Sequence, residues 1–531
     1  MQKFFTLKDL DVKGKRVLLR CSFDVPIDSN KGLLDHKRVR DDSRIRDAIP
    51  TLKYLIENNA KIILAAGWLG RPEGEEPELS MAPVALRLQE ILKENGLLKH
   101  EILLTPNCLD GSKPRSVYKN KYEVVKAVNG LKEGQVIVLE NVRYDPEANA
   151  NDQEFAKFIA SLAGKNAIYV NEAEAQNHRP EATIVSVPHC IVENGGKAVF
   201  GFKCAEVIKY IGNVPKLLQK KGRGRFIFFL SGKKIETQIG ITSKITVMHS
   251  LLDKMKKGDV LIVQGAVTYT FLLAKEFLDD IEKNIKKIEN IIKDFNKRQK
   301  EESDKIKKNN KQYASKILAE KETQLQKEKS EKLKELIGIS DEKIKRIIGN
   351  SFVEWKEIGE QIIFAAQVLL KSREREVEVL LSTDHTITNN YPDKFGNLPK
   401  DAELKVYNAP TGIPNGWIGV APGPKTLETI CKRVKDCYLL ILAGPISIED
   451  EKVEEHSNTN KKLIEAIKEA KDKGAVTIGA GGDTAALIKK WNGENAFTII
   501  SNAGGATLEL IEKDGKLPGI EALEENYKRF K

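Results

Sequence analysis

The sequence predicts an α/β protein with two doubly wound, parallel-sheet (Rossmann-like) domains, the second interrupted by an antiparallel helical hairpin. Three observations carry this. Short apolar runs alternate with helical periodicity and empty into glycine or polar loops, the pattern of a parallel sheet with helices on its faces. Two strand–glycine–helix turns follow one another near the end of the chain, Val476 to Trp491 and Ser501 to Leu510. From Leu278 to Ile347 proline is absent, glycine is scarce, and lysine and glutamate dominate.

At 531 residues, the length implies about two to four domains with ample chain for large cores. Charged residues make up 31% and hydrophobic ones 41%, a composition that excludes a disordered chain. The net charge of +11 favours anionic ligands without naming them. Cys21, Cys108, Cys190, Cys204, Cys431 and Cys437 are scattered with no C-x-x-C pair, which favours reduced thiols in a cytoplasm over a disulfide framework or zinc site. The first ten residues lack a signal-peptide core, and no run of about 18 apolar residues would span a membrane.

In the first half, strands are expected at Lys15–Phe23, Lys61–Ala66, Val136–Leu139 and Ala167–Asn171, with helices at Ala48–Asn58, Ala82–Asn95 and Gln153–Ala163. Ligands of such sheets sit outside the carboxyl ends of the strands. Arg44, Arg71, Arg143 and Arg179 fall there, and guanidinium forks match phosphate and carboxylate bidentately. Each alone reads as a surface arginine; together they make a basic bowl for a small, multiply charged anion.

The second half begins near Gly195-Gly196, with strands at Gly224–Leu230, Val260–Gly265, Glu378–Leu381 and Tyr438–Pro445. Its Gly479–Gly482 turn places a helix N-terminus after a strand, where unpaired N–H groups and the positive dipole end attract phosphate. Asp483 is suited to cap that helix or to hold Mg²⁺. In the insertion, Ile281, Ile285, Ile288, Ile292 and Phe295 form a heptad seam, so residues 278–347 read as a coiled-coil hairpin turning near Lys307–Gln312. Each arm of about 30 residues reaches about 45 Å. Its charges read as a solvated surface or as an arm for an unknown protein or nucleic acid, and its removal is expected to leave the fold intact.

These residues, in this order, resemble the phosphoglycerate kinase family. The likeness rests on Ser43-Arg-Ile, Leu69-Gly-Arg-Pro72, Leu139-Glu-Asn-Val-Arg143, Asn171 through His178-Arg179, Ile413-Pro-Asn-Gly-Trp417, Gly423-Pro-Lys425, Gly444-Pro445, Gly481-Gly-Asp-Thr484, Gly504 to Leu510 and Leu517 to Ala522. It implies an acid-substrate domain over 1–194, a nucleotide domain over 195–510 joined to it by a hinge, and a segment 511–531 returning to the first domain. It further implies a monomeric phosphotransferase of glycolysis, exchanging a phosphoryl group between 1,3-bisphosphoglycerate and Mg-ADP to give 3-phosphoglycerate and ATP. By position, Arg44 stabilises the transferring group and orients substrate, while Arg71, Arg143 and Arg179 bind the phosphate and carboxyl end of the glycerate beside Ser22, Asp24 and Trp68. Lys234 contacts nucleotide or the transferring phosphate, the Gly481 and Gly482 amides cradle it, and Asp483 holds Mg²⁺. Gly232, Gln238, Pro445, Glu449, Asp450 and Thr484 complete the nucleotide positions.

The departures are specific. The family's Asp-Phe-Asn is Ser22-Phe23-Asp24, and its Ser-His-Leu-Gly-Arg is Gly67-Trp-Leu-Gly-Arg71, so Trp68 replaces a substrate-binding histidine. The loop Asp-Ala-Phe-Gly-Thr-Ala-His-Arg-Ala-His is Glu172-Ala-Glu-Ala-Gln-Asn-His-Arg-Pro-Glu181. Gln238 stands at a second lysine, Ala443 at an asparagine near the phosphates, and the ribose-binding glutamate falls at Asp450 with Glu449 adjacent. Losing one charge-assisted contact weakens an interaction by about 1.5–3 kcal/mol, so Gln238 alone implies a step slowed roughly tenfold to a hundredfold. A nucleotide-binding scaffold with little activity, or a kinase for another small acid, remains open beside the active enzyme.

Overall fold

A computed structural model of the chain describes residues 4–65, 67–109, 112–232, 244–309, 314–353, 358–393, 396–408, 412–448 and 450–529. The chain divides into two compact units, Met1–Pro215 with Glu509–Lys531, and Lys216–Leu508. Residues 195–215 group with the first unit, as does the end of the chain.

The first unit holds strands β1 (Arg16–Cys21), β2 (Lys61–Ala65), β3 (Leu103–Thr105), β4 (Val136–Leu139), β5 (Ile168–Glu172) and β6 (Lys197–Phe200). They form one parallel sheet in the order β3-β4-β2-β1-β5-β6. Apolar runs such as Val17-Leu-Leu19 and Val136-Ile-Val-Leu139 are buried on both faces, as parallel strands covered by helices require. The helix Gln153–Ala163 shows how the covering layer is built. Asp152 caps it by accepting the Phe155 N–H at 2.8 Å, and Phe155, Ile159 and Leu162 turn to the core.

The second unit holds β7 (Arg225–Leu230), β8 (Val260–Val263), β9 (Glu378–Leu380), β13 (Cys437–Ala443), β14 (Val476–Ala480) and β15 (Ile499–Ser501), parallel in the order β15-β14-β13-β7-β8-β9. A separate antiparallel sheet, β11-β10-β12, is made by β10 (Asp384–Thr388), β11 (Leu404–Asn408) and β12 (Ile418–Pro422). The sequence reading contains no such sheet. Its central strand is polar (Asp384-His-Thr-Ile-Thr388), without the apolar run that marks the parallel strands, and β12 is broken by Gly419 and ends in Pro422.

The insertion forms helices Leu278–Asn309 and Ala314–Leu336, and the link between them lies outside the described residues. The two are antiparallel, since Arg298 pairs with Glu328 and Phe295 lies under Lys332. Ile281, Ile288 and Phe295 of the heptad seam are buried. The hairpin is not separate from the unit beneath it, however. Lys329 makes a buried ion pair with Glu360 at 2.7 Å, Leu333 is fully buried, and the following helix Asp341–Ile348 buries Ile344 and Ile348. Of the segment 278–347, the part from about 325 onward belongs to the core of its unit.

Candidate active site

Adjacent strands whose loops leave in opposite directions open a crevice at their carboxyl ends. In the first unit this switch lies between β1 and β5. β1 leads into Ser22 and Asp24, β2 into Trp68 and Arg71, β4 into Arg143 and β5 into Arg179; Arg44 lies in the helix Ser43–Asp47. The Arg44 guanidinium donates to the Asp24 carbonyl, and Asp24 Oδ1 accepts the Gly70 N–H at 3.0 Å. Arg143 Nη1 donates to the Gly70 carbonyl at 2.8 Å and its Nε to Asn149 Oδ1 at 3.2 Å. Burial pushes the Arg143 pKa down, Glu181 and Asp24 oppose this, and Arg179 and Arg71 add to it. Arg71, Arg179, Asp24 and Glu181, distant in sequence, therefore surround Arg143, and Arg44 joins them through the Asp24 carbonyl.

Trp68 sits among them, only 4% exposed. The Arg143 guanidinium carbon lies 3.4 Å from its ring centroid and that of Arg179 4.7 Å away. Stacking on an aromatic face offsets part of the repulsion between the two cations. The Trp68 side chain also faces the Glu181 carboxyl and favours its ionised form. Burial raises the Glu181 pKa, against Arg20, Arg143 and Arg179, which lower it. Arg20 is fully buried, donates through Nε to Thr183 Oγ1 at 2.8 Å, and has Nη2 3.6 Å from Glu181 Oε2. Gly67 makes this possible: its φ is +80°, and a Cβ there would lie 2.3 Å from Arg20 Nη1. Ser22 Oγ, Arg179 Nε and His178 Nδ1 are buried without a hydrogen-bond partner, so the bowl retains polar atoms that its own residues do not satisfy.

Arg20 and Glu181 adjoin the bowl, and the sequence reading does not single them out as candidates. Arg20 has a visible signal, a cation inside an otherwise apolar strand. Glu181 has one too, since it stands where the family's loop ends in histidine.

In the second unit the switch falls between β13 and β7, whose exits carry Pro445 and Gly232. Both line a cavity of about 250 Å³ together with Asp483, Gln264, Tyr269 and His385. The helix Gly482–Lys490 has Gly481 at its N-cap position with φ 109°, so Asp483 sits in the first turn and is not the cap. Asp483 makes no hydrogen bond or ion pair to any described residue. The Gly481 turn touches its downstream repeat, because a Cβ at Gly481 would lie 3.5 Å from Gly504 Cα. Two helix N-termini thus present amides side by side. Thr484 is committed to the backbone, accepting the Gly444 N–H at 2.8 Å and donating to the Ala480 carbonyl at 2.9 Å. Asp450 caps the helix Glu451–Ser457 through the Val453 N–H at 3.1 Å and accepts the Leu398 N–H at 2.8 Å. Ala443 ends β13 and is buried. Lys233, Lys234, Gln238 and Glu449 lie outside the described residues.

Among the described residues no group of three or more His, Cys, Asp or Glu is placed to hold a metal. A lone carboxylate, Asp483, beside the free amides of a helix N-terminus still fits Mg²⁺, which commonly takes one or two carboxylates and completes its shell with substrate phosphates and water. No described helix is long and apolar enough to cross a membrane, and all six cysteines are unpaired.

The family model for phosphoglycerate kinase matches residues 7–347 and 341–514. The phosphoglycerate kinase of Clostridium botulinum strain Eklund 17B is 32% identical over 521 residues, covering 98% of each chain. That of Fervidobacterium nodosum is 30% identical over 526 residues, covering 99% of each. Among solved structures, phosphoglycerate kinase from Coxiella burnetii superposes with a TM-score of 0.62 at 24% identity, over 99% of this chain and 100% of that one. The enzyme from Pyrococcus horikoshii gives 0.65 at 18% identity with the same coverage, and both likenesses speak to the fold. With the basic bowl at one switch point and the paired glycine turns at the other, the chain belongs to the phosphoglycerate kinase family.

Proposed function

We propose that the chain catalyses reversible phosphoryl transfer from 1,3-bisphosphoglycerate to Mg-ADP, giving 3-phosphoglycerate and ATP. The observation that carries this is the grouping of Arg71, Arg143 and Arg179 beside Asp24 at the carboxyl ends of one sheet, with Arg44 on the Asp24 carbonyl, in a bowl that leaves Ser22 Oγ and Arg179 Nε unsatisfied. In the reaction a β-phosphate oxygen of ADP forms a bond to the acyl phosphorus, the bond from phosphorus to the carboxyl oxygen breaks, and the carboxylate leaves. No residue forms a covalent intermediate; positioning and neutralisation of charge suffice for this chemistry. Arg71, Arg143 and Arg179 hold the phosphate and carboxylate of the acid, and Arg44 meets charge that develops during transfer. The Gly481 and Gly482 amides and Lys234 hold the nucleotide phosphates, and Gly232 and Pro445 border the nucleotide. Asp483 would hold Mg²⁺, which supplies neutralisation of the phosphate oxygens. A cytoplasmic setting and action as a monomer complete this reading, and the exposed charges of the hairpin leave a surface for a protein or nucleic-acid partner.

One observation favours a second reading, a weakly active nucleotide-binding scaffold or a kinase for another small acid. Trp68 and Glu181 already engage Arg143 and Arg179, which leaves these arginines less free for a substrate anion. Steady-state kinetics with 3-phosphoglycerate and ATP separate the readings. Arg44→Ala is expected to lower kcat, and Arg143→Ala to raise KM more than it lowers kcat. Absence of turnover in the unmodified chain, or variants that match it, would replace the kinase by the scaffold.

A further inference from the structure

The cavity of the second unit holds a feature that phosphate binding does not use. Gln264, Thr268 and His385 are each 1% exposed and all line it, and each has a polar atom without a partner: Gln264 Nε2, Thr268 Oγ1 and His385 Nε2. Buried polar atoms are satisfied in the great majority of cases, so three orphans facing one space point to a ligand that satisfies them. The fold holds them in place. Gln264 leaves the end of β8 with its N–H on the Leu230 carbonyl at 2.9 Å, and Ser382 Oγ donates to its Oε1 at 2.8 Å, which turns Nε2 toward the cavity. The His385 ring lies 5.4 Å from that of Tyr269 at 35°, and a Cβ at Gly419 would fall 1.7 Å from the Tyr269 hydroxyl oxygen. Glycine at 419 is therefore what admits the tyrosine.

The described lining contains no lysine or arginine, so this part of the cavity is not matched to an anion. It offers flat walls, Tyr269, His385 and Phe352, with apolar Val420 and Ile446, and three neutral hydrogen-bonding groups. That chemistry fits the edge of a neutral heteroaromatic ring. The phosphate end is marked independently by Gly232, Pro445 and Asp483 on the same cavity.

We propose that this cavity reads the edge of the nucleobase by hydrogen bonds, with Gln264 as its discriminating residue and Thr268 and His385 as supporting contacts. The inference rests on the reading of the second unit as the nucleotide site and adds base selectivity to it. A site that hydrogen-bonds its ligand rejects analogues lacking the matching group, because its own buried polar atoms are then left unpaired.

The test is calorimetry of Mg-ADP, Mg-GDP, Mg-IDP and Mg-CDP binding to the full chain, its Gln264→Glu and Gln264→Met variants, and Thr268→Val as a near-isosteric second probe. The unmodified chain is expected to spread these affinities by about tenfold or more. Gln264→Glu keeps the Ser382 bond but exchanges a donor for an acceptor, so it should reorder the bases. Gln264→Met should flatten the series to within about threefold, and Thr268→Val should narrow it. A flat series in the unmodified chain, or variants that scale all four ligands alike, overturns the inference while leaving the nucleotide site standing. If no diphosphate binds, the nucleotide reading fails and this inference falls with it.

Discussion

Trp68 and Glu181 stand where the family keeps two histidines, and the pair they form binds their fates together. With Trp68 replaced by histidine, two guanidinium groups lose the indole face, each contact worth about 0.5–2 kcal/mol, and Glu181 loses the indole that favours its ionised form. Glu181→His alone leaves Arg20 without its carboxylate. The double variant Trp68→His, Glu181→His removes both halves at once. Its destabilisation in urea is expected to fall short of the summed single effects by about 1 kcal/mol or more. Additivity within about 0.5 kcal/mol would show that the two act independently. At this scale the sequence shows the cations, because an arginine after an apolar strand is a local pattern. It does not show that Trp68 lies between Arg143 and Arg179, since that arrangement depends on three loops meeting over one sheet.

At the scale of elements, the two glycine turns are legible for the reason that makes them useful: strand, glycine and helix must follow one another to present free amides. Their apposition through Gly481 and Gly504 is a property of neighbouring strands β14 and β15. Asp483→Ala in the first of these helices is expected to abolish Mg²⁺-dependent tightening of nucleotide binding by calorimetry while leaving unfolding unchanged. Equal affinities with and without the substitution would dismiss the metal role. The hairpin is legible as helix but its attachment through Lys329 and Leu333 is not, because periodicity reports which face is apolar and not what covers it. Residues 299–324 lie beyond the Lys329–Glu360 pair, and replacing them with a short linker should leave cooperative unfolding in place. Lys329→Ala is expected to cost about 3–5 kcal/mol, because one partner of a buried ion pair is removed. Insolubility of the shortened chain, or an unfolding midpoint unmoved by Lys329→Ala, would contradict this division of the hairpin.

For the whole molecule, the buried ionisable groups set opposite pH responses in the two units. In the first, burial raises Glu172 to about 7, against hydrogen bonds from Thr51, Cys204 and Lys203, and it also raises Glu140, Asp145 and Glu181. An acid whose folded pKa exceeds its unfolded value keeps its proton while the unfolded chain loses it. Stability is therefore full below about pH 4.5 and falls until about pH 7, by about 3 kcal/mol for Glu172. His178, lowered by burial, works against this trend in the same unit. In the second unit, burial lowers His385 to about 4 and also lowers His249. A histidine held neutral by the fold leaves stability intact above about pH 6.5. Stability is lost as pH falls toward 4, again by about 3 kcal/mol for His385, because the unfolded chain takes up a proton that the folded chain refuses. Hydrogen exchange resolved by peptide between pH 5 and 8 reads the two units separately. Protection of β1 and β5 should rise on acidification relative to that of β7 and β13, and His385→Asn should remove most of the second unit's slope. Slopes of the same sign in both units, or an unchanged slope in His385→Asn, would show that other groups govern the response.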